Sequence, residues 1–341
     1  MAFVKSEYTL QPAPVMIATS FVVPHVIAVA VMDLLLRYRW LTVFVVVDAN
    51  STPMYTVIAD EMEQDPRMTV LTWYRRNVRA NSLNSFGPLL EEFQNLSRVL
   101  VYFGKADQQR RLMVDARARN MTNGEYVYIV DEPYQFPKSY GTVTWSYKGD
   151  PDNEAARDAF RSVLVVHPYP EIPLAVSSDV MTLAGRFRAI ATTLYNVTVT
   201  AYEQPFRDAI TSYVSILFLA QVLNETLIRD GPAKLQDGAW LSQQFLNRAF
   251  PPPVKGLADT YIDSTGLRRT ILGVSHFLAG NGSVRESFLM QSPDAGYTFR
   301  QTRDLALEWP GGNWPPPNEP FCGYTNSKGG CQTSLGMYRQ R

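Results

Sequence analysis

The sequence predicts an α/β fold wound on both faces of a parallel sheet. Three observations carry it: apolar runs of strand length, helical segments between them, and connections of crossover length. LTVFVVVD, Leu41 to Asp48, is apolar up to its last residue but one, as in a strand buried on both faces.

The elements follow in order. VPHVIAVAVMDLLLRYR, residues 23–39, has the apolar density of a helix packed on a sheet. After strand 41–48, TPMYTVIADEMEQ reads as a helix with Thr52 as N-cap and Pro53 at its first position. Then come strand MTVLTWY (68–74), helix FGPLLEEFQNL (86–96), strand RVLVYFG (98–104), helix QQRRLMVDARARN (108–120) and strand YVYIVDE (126–132). Residues 40–135 are therefore expected to form one parallel sheet covered by helices on both sides. DPDNEAARD, 150–158, clusters acids but lacks the glycine and glutamate positions of a calcium loop. It reads as a helix start capped by Asp152 or Asn153. SVLVVHP, 162–168, supplies another strand.

After residue 168 the rhythm changes. Helices are expected at about 179–196, 207–228 and 238–249, before FPPPVKG interrupts the pattern. Ala209 to Leu223 is uncharged, but it falls short of the ~20 residues of a membrane span and reads as a buried helix. Two β-rich pieces follow, 260–278 turning near Ser264 to Gly266 and 283–300 turning near Pro293 to Gly296. AGNGS between them carries an Asn-Gly turn signal.

The 341 residues suffice for two domains, and 46% apolar with 19% charged residues is globular composition. Lysine plus arginine equals aspartate plus glutamate, which argues against a nucleic-acid partner. Strand 41–48 is followed by ANSTPMY, with no glycine to admit a pyrophosphate, and no P-loop or nucleophile elbow occurs. His25, His167 and His276 are isolated and read as packing or surface residues. YRRNVR, 74–79, reads either as a solvated loop or as a basic lining for an anionic group. No catalytic residue, metal site or cofactor is expected.

The first residues lack the pattern of a signal peptide. Six Asn-X-Ser/Thr sequons, at Asn50, Asn95, Asn120, Asn196, Asn224 and Asn281, nevertheless tilt the reading toward an extracellular chain. The tail, WPGGNWPPPNEPFCGYTNSKGGC from Trp309 to Cys331, holds both cysteines in a proline-rich stretch.

This tail resembles the juxtamembrane end of the extracellular region of receptor guanylate cyclases, above all the nematode sensory ones. The resemblance rests on Trp309, Pro310, Gly311, Gly312, Pro316, Pro317, Glu319, Pro320, Cys322, Gly323 and Tyr324. VAVMDLLLRYRWLTVFVVVDA, MTNGEYVYIV, VLNETLIRDG and GLADTYIDSTGLRRTILGVSHF are similar to further stretches of that family, so the likeness covers nearly the whole chain.

The resemblance implies a type I periplasmic-binding-protein fold, two α/β lobes around a ligand cleft. Residues 1–204 would form the second lobe and 205–308 a returning segment shared with an incomplete first lobe. Residues 309–341 would form an extended, semi-rigid stalk with a Cys322–Cys331 loop. It further implies a peptide or small-molecule ligand, a homodimer through the first lobe, and cyclic GMP signalling at the outer face of the plasma membrane. That signalling belongs to a longer protein, because this chain stops before any membrane span or cyclase domain. In doubly wound sheets ligands sit at the C-terminal ends of the strands. That criterion selects Asp48, Asn50, Tyr74, Arg75, Lys105, Asp131 and Glu132. The competing readings are an amino-acid-sensing G-protein-coupled receptor or glutamate receptor ectodomain, and a soluble doubly wound enzyme.

Overall fold

The computed structural model describes residues 17–19, 24–133, 139–168, 178–198, 206–255, 257, 259–291, 298–301, 307–325 and 328. By its contacts the chain divides into two units. One comprises 27–167, 272–290 and 299–341, and the other 1–26, 168–271 and 291–298. Both are discontinuous in sequence, whereas the sequence partition is drawn at 204/205 and 308/309.

In chain order the first stretch runs α1 (Pro24–Arg37), β1 (Thr42–Asp48), α2 (Pro53–Gln64), β2 (Thr72–Val78), α3 (Gly87–Leu96), β3 (Val99–Phe103), α4 (Ala106–Ala118), β4 (Val127–Asp131), α5 (Asn153–Phe160) and β5 (Val163–Pro168). Helices α6 (Ser178–Tyr195), α7 (Phe206–Asp230) and α8 (Gly238–Gln243) follow. Then come β6 (Arg248–Phe250), β7 (Thr260–Ile262), β8 (Arg268–Arg269), β9 (Leu272–Phe277), β10 (Val284–Gln291) and β11 (Thr298–Gln301).

The main sheet has the order β11-β10-β9-β5-β4-β3-β1-β2. The neighbours β2-β1, β1-β3, β3-β4 and β4-β5 are all parallel, as the apolar runs predict. β9 and β10 form an antiparallel hairpin whose turn carries Gly282 at φ 65°. On one face Phe44, Val46, Leu100, Tyr102, Tyr128 and Val130 alternate along their strands and meet Leu90 and Phe93 of α3, Leu112 and Met113 of α4 and Phe160 of α5. On the other face α2 packs against β1 and β3, burying Met54, Tyr55, Ile58 and Met62 at helical spacing.

Four local expectations need correction. Residues 66–70 form a 3-10 turn, not the start of a strand, because the Asp65 carboxylate caps the Arg67 amide and Pro66 opens the turn. The strand therefore comes later and contains the arginines assigned to a loop. It is an edge strand, and successive arginines point to opposite faces. Arg75 reaches Asp60 and Glu63 of α2, whereas Arg76 reaches Glu92 of α3. Thr52 and Asp152 occupy N-cap positions without making a side-chain cap bond. Asn153 instead exchanges bonds with the Tyr147 backbone. The helix expected over 238–249 stops at Gln243, as the chain enters β6. The turn near 293–296 lies outside the described residues.

The proline-rich tail is docked rather than free-standing through its described part. It lies across the N-terminal ends of β1, β3 and β4. Trp309 Nε1 donates to Gly124 O at 2.9 Å, Trp40 Nε1 to Pro316 O at 2.9 Å, and the Thr42 amide to Asn318 Oδ1 at 2.9 Å. Trp314 sits among Tyr38, Trp40 and Trp309 with centroids 5.1, 5.8 and 4.7 Å away. The buried Arg98 guanidinium lies between the rings of Tyr126 and Tyr324, at 4.8 and 5.3 Å. Gly124, at φ 98°, permits the approach: a Cβ there would stand 1.8 Å from Pro310 O. Indole burial outweighs the extended bias of the prolines.

In the other unit, Ile210, Val214, Phe218 and Val222 form the buried stripe of α7 against Val180 and Ala184 of α6, with Phe245, Phe250 and Ile262 completing the cluster. β6, β7 and β8 make a small antiparallel sheet beside it. α7 is not buried all round as its composition suggests: Ile216 and Ile228 on its other sides are 65% and 77% exposed. At 25 residues it is also longer than expected, and Ile210–Asp230 is long and apolar enough to cross a membrane. Its buried stripe and its Glu225–Arg248 ion pair are features of a globular helix. The Arg248 and Gln221 side chains hold the Glu225 carboxyl down to about 2.

Candidate functional site

The parallel strands have the order β2-β1-β3-β4-β5. From β1 the chain steps outward to β2, then crosses back to β3 on the other side and continues. The reversal falls between β1 and β3, and in such sheets the crevice at the C-terminal ends of those two strands is the usual ligand position.

Five of the seven sequence-selected residues lie at that end. Asp48 closes β1 and is buried. Its Oδ1 accepts from the amides of Asn50 at 3.2 Å and Ala80 at 3.1 Å, so it ties together the loops after β1 and β2. Asn50 is exposed in the turn that follows. Lys105, half-buried, precedes α4 at its N-cap position. Asp131 closes β4, and Glu132 follows it, with its Oε1 accepting from the Val143 amide at 3.4 Å. Tyr74 and Arg75 are not at this end. They pair with Phe44 and Val45 in mid-strand, while Val78 is the residue level with Asp48. They were selected because the strand was placed four residues too early.

Asp131 is the unusual member. It is 4% exposed, and among the described residues neither carboxylate oxygen has a hydrogen-bond partner from another residue; its own backbone amide is the one group that favours its charged form. Burial pushes its pKa well up, and the nearby Glu132 charge adds to that. Around it stand residues the sequence reading took for packing or helix. Tyr55, from the first turn of α2, has its pKa raised by burial and by Asp131, Tyr140, Tyr102 and Glu132. Tyr140 packs edge-on to Tyr55 with centroids 5.8 Å apart, and its hydroxyl faces Met54 Sδ at 3.7 Å. The Tyr102 hydroxyl, at the end of β3, is buried without a hydrogen-bond partner. So are Ser51 Oγ, Thr52 Oγ1 and Asp107 Oδ1 in the adjoining loops. Gly104 leaves room here, because a Cβ would stand 2.8 Å from the Tyr102 hydroxyl and from Asp48 Cβ. Alternation alone puts Tyr102 in the core; only its place at the strand terminus hints at a second role.

His167, at the end of β5, has its Nε2 at 2.7 Å from Ser275 Oγ. It packs where Gly273 lacks a side chain: a Cβ would stand 2.8 Å from the ring. This agrees with a packing role. Among the described residues no cluster of histidine, cysteine or acidic side chains is arranged to hold a metal ion.

A doubly wound α/β unit with polar side chains gathered at its switch point belongs to the ligand-binding class. Residues 19–269 match the family described as receptor family ligand binding region, and the chain belongs to that family. Its fold is periplasmic-binding-protein-like. It is 24% identical over 322 residues to the receptor-type guanylate cyclase gcy-13 of Caenorhabditis elegans, covering 88% of this chain and 30% of that protein. It is 26% identical to the receptor-type guanylate cyclase gcy-28 of the same organism, over 72% of this chain and 18% of that one. With human atrial natriuretic peptide receptor 3 it shares 28% identity over 53% of this chain and 31% of the receptor. The chain thus spans about a third or less of the length of the curated relatives it matches.

Proposed function

We propose that this chain is the extracellular ligand-binding part of a receptor-type guanylate cyclase, and that a peptide or small molecule bound at the strand ends controls cyclic GMP synthesis elsewhere in the full protein. The match of residues 19–269 to the receptor ligand-binding family carries the reading. The structure adds a mechanical route. Polar side chains gather at the C-terminal ends of β1, β3 and β4, and the tail is docked at the opposite ends of the same strands. Strands of five to seven residues separate the two by roughly 20 Å. A rigid sheet passes displacement along its strands, because packed interiors compress little.

The transcript encoding this chain is expected to continue in frame past Arg341 into one apolar span and a cyclase domain. Cells expressing the whole product should raise cyclic GMP when a ligand is supplied. A transcript running into seven spans or an ion-channel pore would overturn the cyclase assignment in favour of the competing receptor types. The chain by itself is expected to make no cyclic GMP from GTP and manganese, and clear turnover would contradict the reading.

The extracellular placement has its own test. All six sequon asparagines are exposed. Protein secreted from a glycosylating host should lose mass in steps on enzymatic deglycosylation, and an unchanged mass would contradict the placement. The same sample tests the Cys322–Cys331 bridge. Cys322 lies in a turn of the docked tail, and Cys331 lies outside the described residues. Closing a loop of about ten residues constrains the unfolded chain by roughly 2.5–3 kcal/mol. A non-reduced digest should contain the linked peptide, and free thiols at both positions would exclude it.

A further inference from the structure

We propose that an N-linked glycan on Asn50 stands at the mouth of the strand-end crevice and sets the size of ligand admitted there, passing small molecules and turning folded peptides away. This rests on the strand-end reading and the extracellular placement above, and adds how the site selects.

The turn after β1 carries the sequon Asn50, Ser51, Thr52 and leads into α2. Its backbone is pinned. The Ala49 amide donates to Val78 O at 2.8 Å, at the end of β2, and the Ser51 amide donates to Asp48 O at 3.0 Å. Asp48 Oδ1 accepts from the Asn50 amide. The Asn50 side chain is left exposed, and it makes no hydrogen bond of its own. Other sequons are placed differently. Asn95 Nδ2 donates to Glu91 O at 3.0 Å, and Asn281 Oδ1 accepts from the Ser283 amide at 2.9 Å. Asn50 therefore offers a free amide nitrogen on a fixed backbone. The sequon hydroxyl, Thr52 Oγ1, is buried without a hydrogen-bond partner, as is Ser51 Oγ. A transferase reads that hydroxyl only before the turn closes, so modification precedes folding here. In the transfer Asn50 Nδ2 bonds to the anomeric carbon of an oligosaccharide carried on a polyprenyl pyrophosphate. The bond from that carbon to the pyrophosphate oxygen breaks, the pyrophosphate leaves, and the nitrogen gives up one proton.

Position gives the glycan its effect. A Cβ on Gly104 would stand 2.8 Å from Asp48 Cβ, so the chain just past β3 lies against the end of β1. Asn50 follows closely on one side of that contact and Lys105 on the other, where the direction of winding reverses. An N-linked oligosaccharide is bulky and solvated. Rooted on a pinned turn, it does not swing clear of the crevice. A folded peptide needs on the order of 800 Å² of contact on each partner, and the glycan stands within that area. A small molecule buries most of its own surface in a cleft and needs no such clearance around the mouth.

Thiol accessibility tests the idea on the whole chain secreted from a glycosylating host. Lys105→Cys, at a half-buried position, puts a thiol at the crevice, and protein without that substitution gives the background. The probes are N-ethylmaleimide and a maleimide carried on the folded peptide aprotinin. Two further variants remove the glycan: Asn50→Gln, and Thr52→Val, which keeps the Asn50 side chain. Asn95→Gln removes a glycan from the opposite end of the strands and serves as control. Thermal melting shows that each variant folds, and mass spectrometry of the peptide holding Asn50 shows its glycan. N-ethylmaleimide is expected to label the new thiol at one rate throughout. The aprotinin reagent should label the glycosylated protein about tenfold more slowly than either glycan-free variant, as for a mouth covered about nine tenths of the time. The Asn95→Gln protein should stay slow. If the aprotinin reagent labels every variant at one rate, or if Asn50 carries no glycan, the size filter falls while the crevice stands. If N-ethylmaleimide reaches the thiol in none of them, the strand-end reading falls with it.

Discussion

Truncating Trp40 to alanine is expected to destabilise the fold by about 3–5 kcal/mol, the usual range for removing a buried aromatic side chain. Trp40 is fully buried, just before β1. Its indole packs tilted against Tyr38 and edge-on to Trp314 and donates to Pro316 O, so the truncation opens a cavity and also releases the tail. Trp40→Phe keeps most of the ring but loses the donor and leaves a buried carbonyl without its partner, which costs about 1–3 kcal/mol. Phe321, 90% exposed on the same tail, serves as control: Phe321→Ala should stay within about 0.5 kcal/mol of wild type. Urea unfolding measures all three. If Trp40→Ala matches the Phe321 control, the tail is not docked in solution. The mechanical route from strand ends to tail then loses its basis.

Replacing Asp131 by leucine is expected to do the opposite and raise stability at neutral pH by about 1–3 kcal/mol, the cost of a buried polar group without a partner. The sign follows from linkage. Burial holds the carboxyl above its ordinary value in the folded state. Between the ordinary value, near 4, and the raised one, the folded chain binds more protons than the unfolded chain, so wild-type stability falls as pH rises through that window. The leucine variant escapes this fall. Its advantage should be greatest at neutral pH and shrink as the buffer approaches pH 4. Melting curves of both proteins across that range decide the matter. A destabilised variant, or a gain independent of pH, would mean that Asp131 is an ordinary core position. A stabilising substitution that also abolishes ligand binding would be the signature of a residue kept for function at the expense of stability.

Much of the fold was legible in the sequence because its strands are buried on both faces. Runs such as Val43–Val47 and Val99–Phe103 have no competing solvent-exposed reading, and the helices between them have a clear 3.6-residue period. The edge strand was misplaced for the converse reason. With one side unpaired, β2 carries arginines that look like loop, and their neutralising acids come from α2 and α3, distant in sequence. Alternation identified the buried tyrosines as core but gave no sign that Tyr55 and Tyr140 meet, since they lie 85 positions apart.

The sequence by itself determined the class of fold, the parallel pairing of the strands from β1 to β4, and the family likeness that residues 19–269 bear out. These follow from local pattern and short connections, which each segment carries within itself. Only the tertiary structure decided which strand-end residues converge, that the Asp131 carboxyl is buried with no partner from another described residue, and that the proline-rich tail lies against Trp40 and Arg98. Those outcomes depend on burial, and burial is set by what the rest of the chain places on top of a residue.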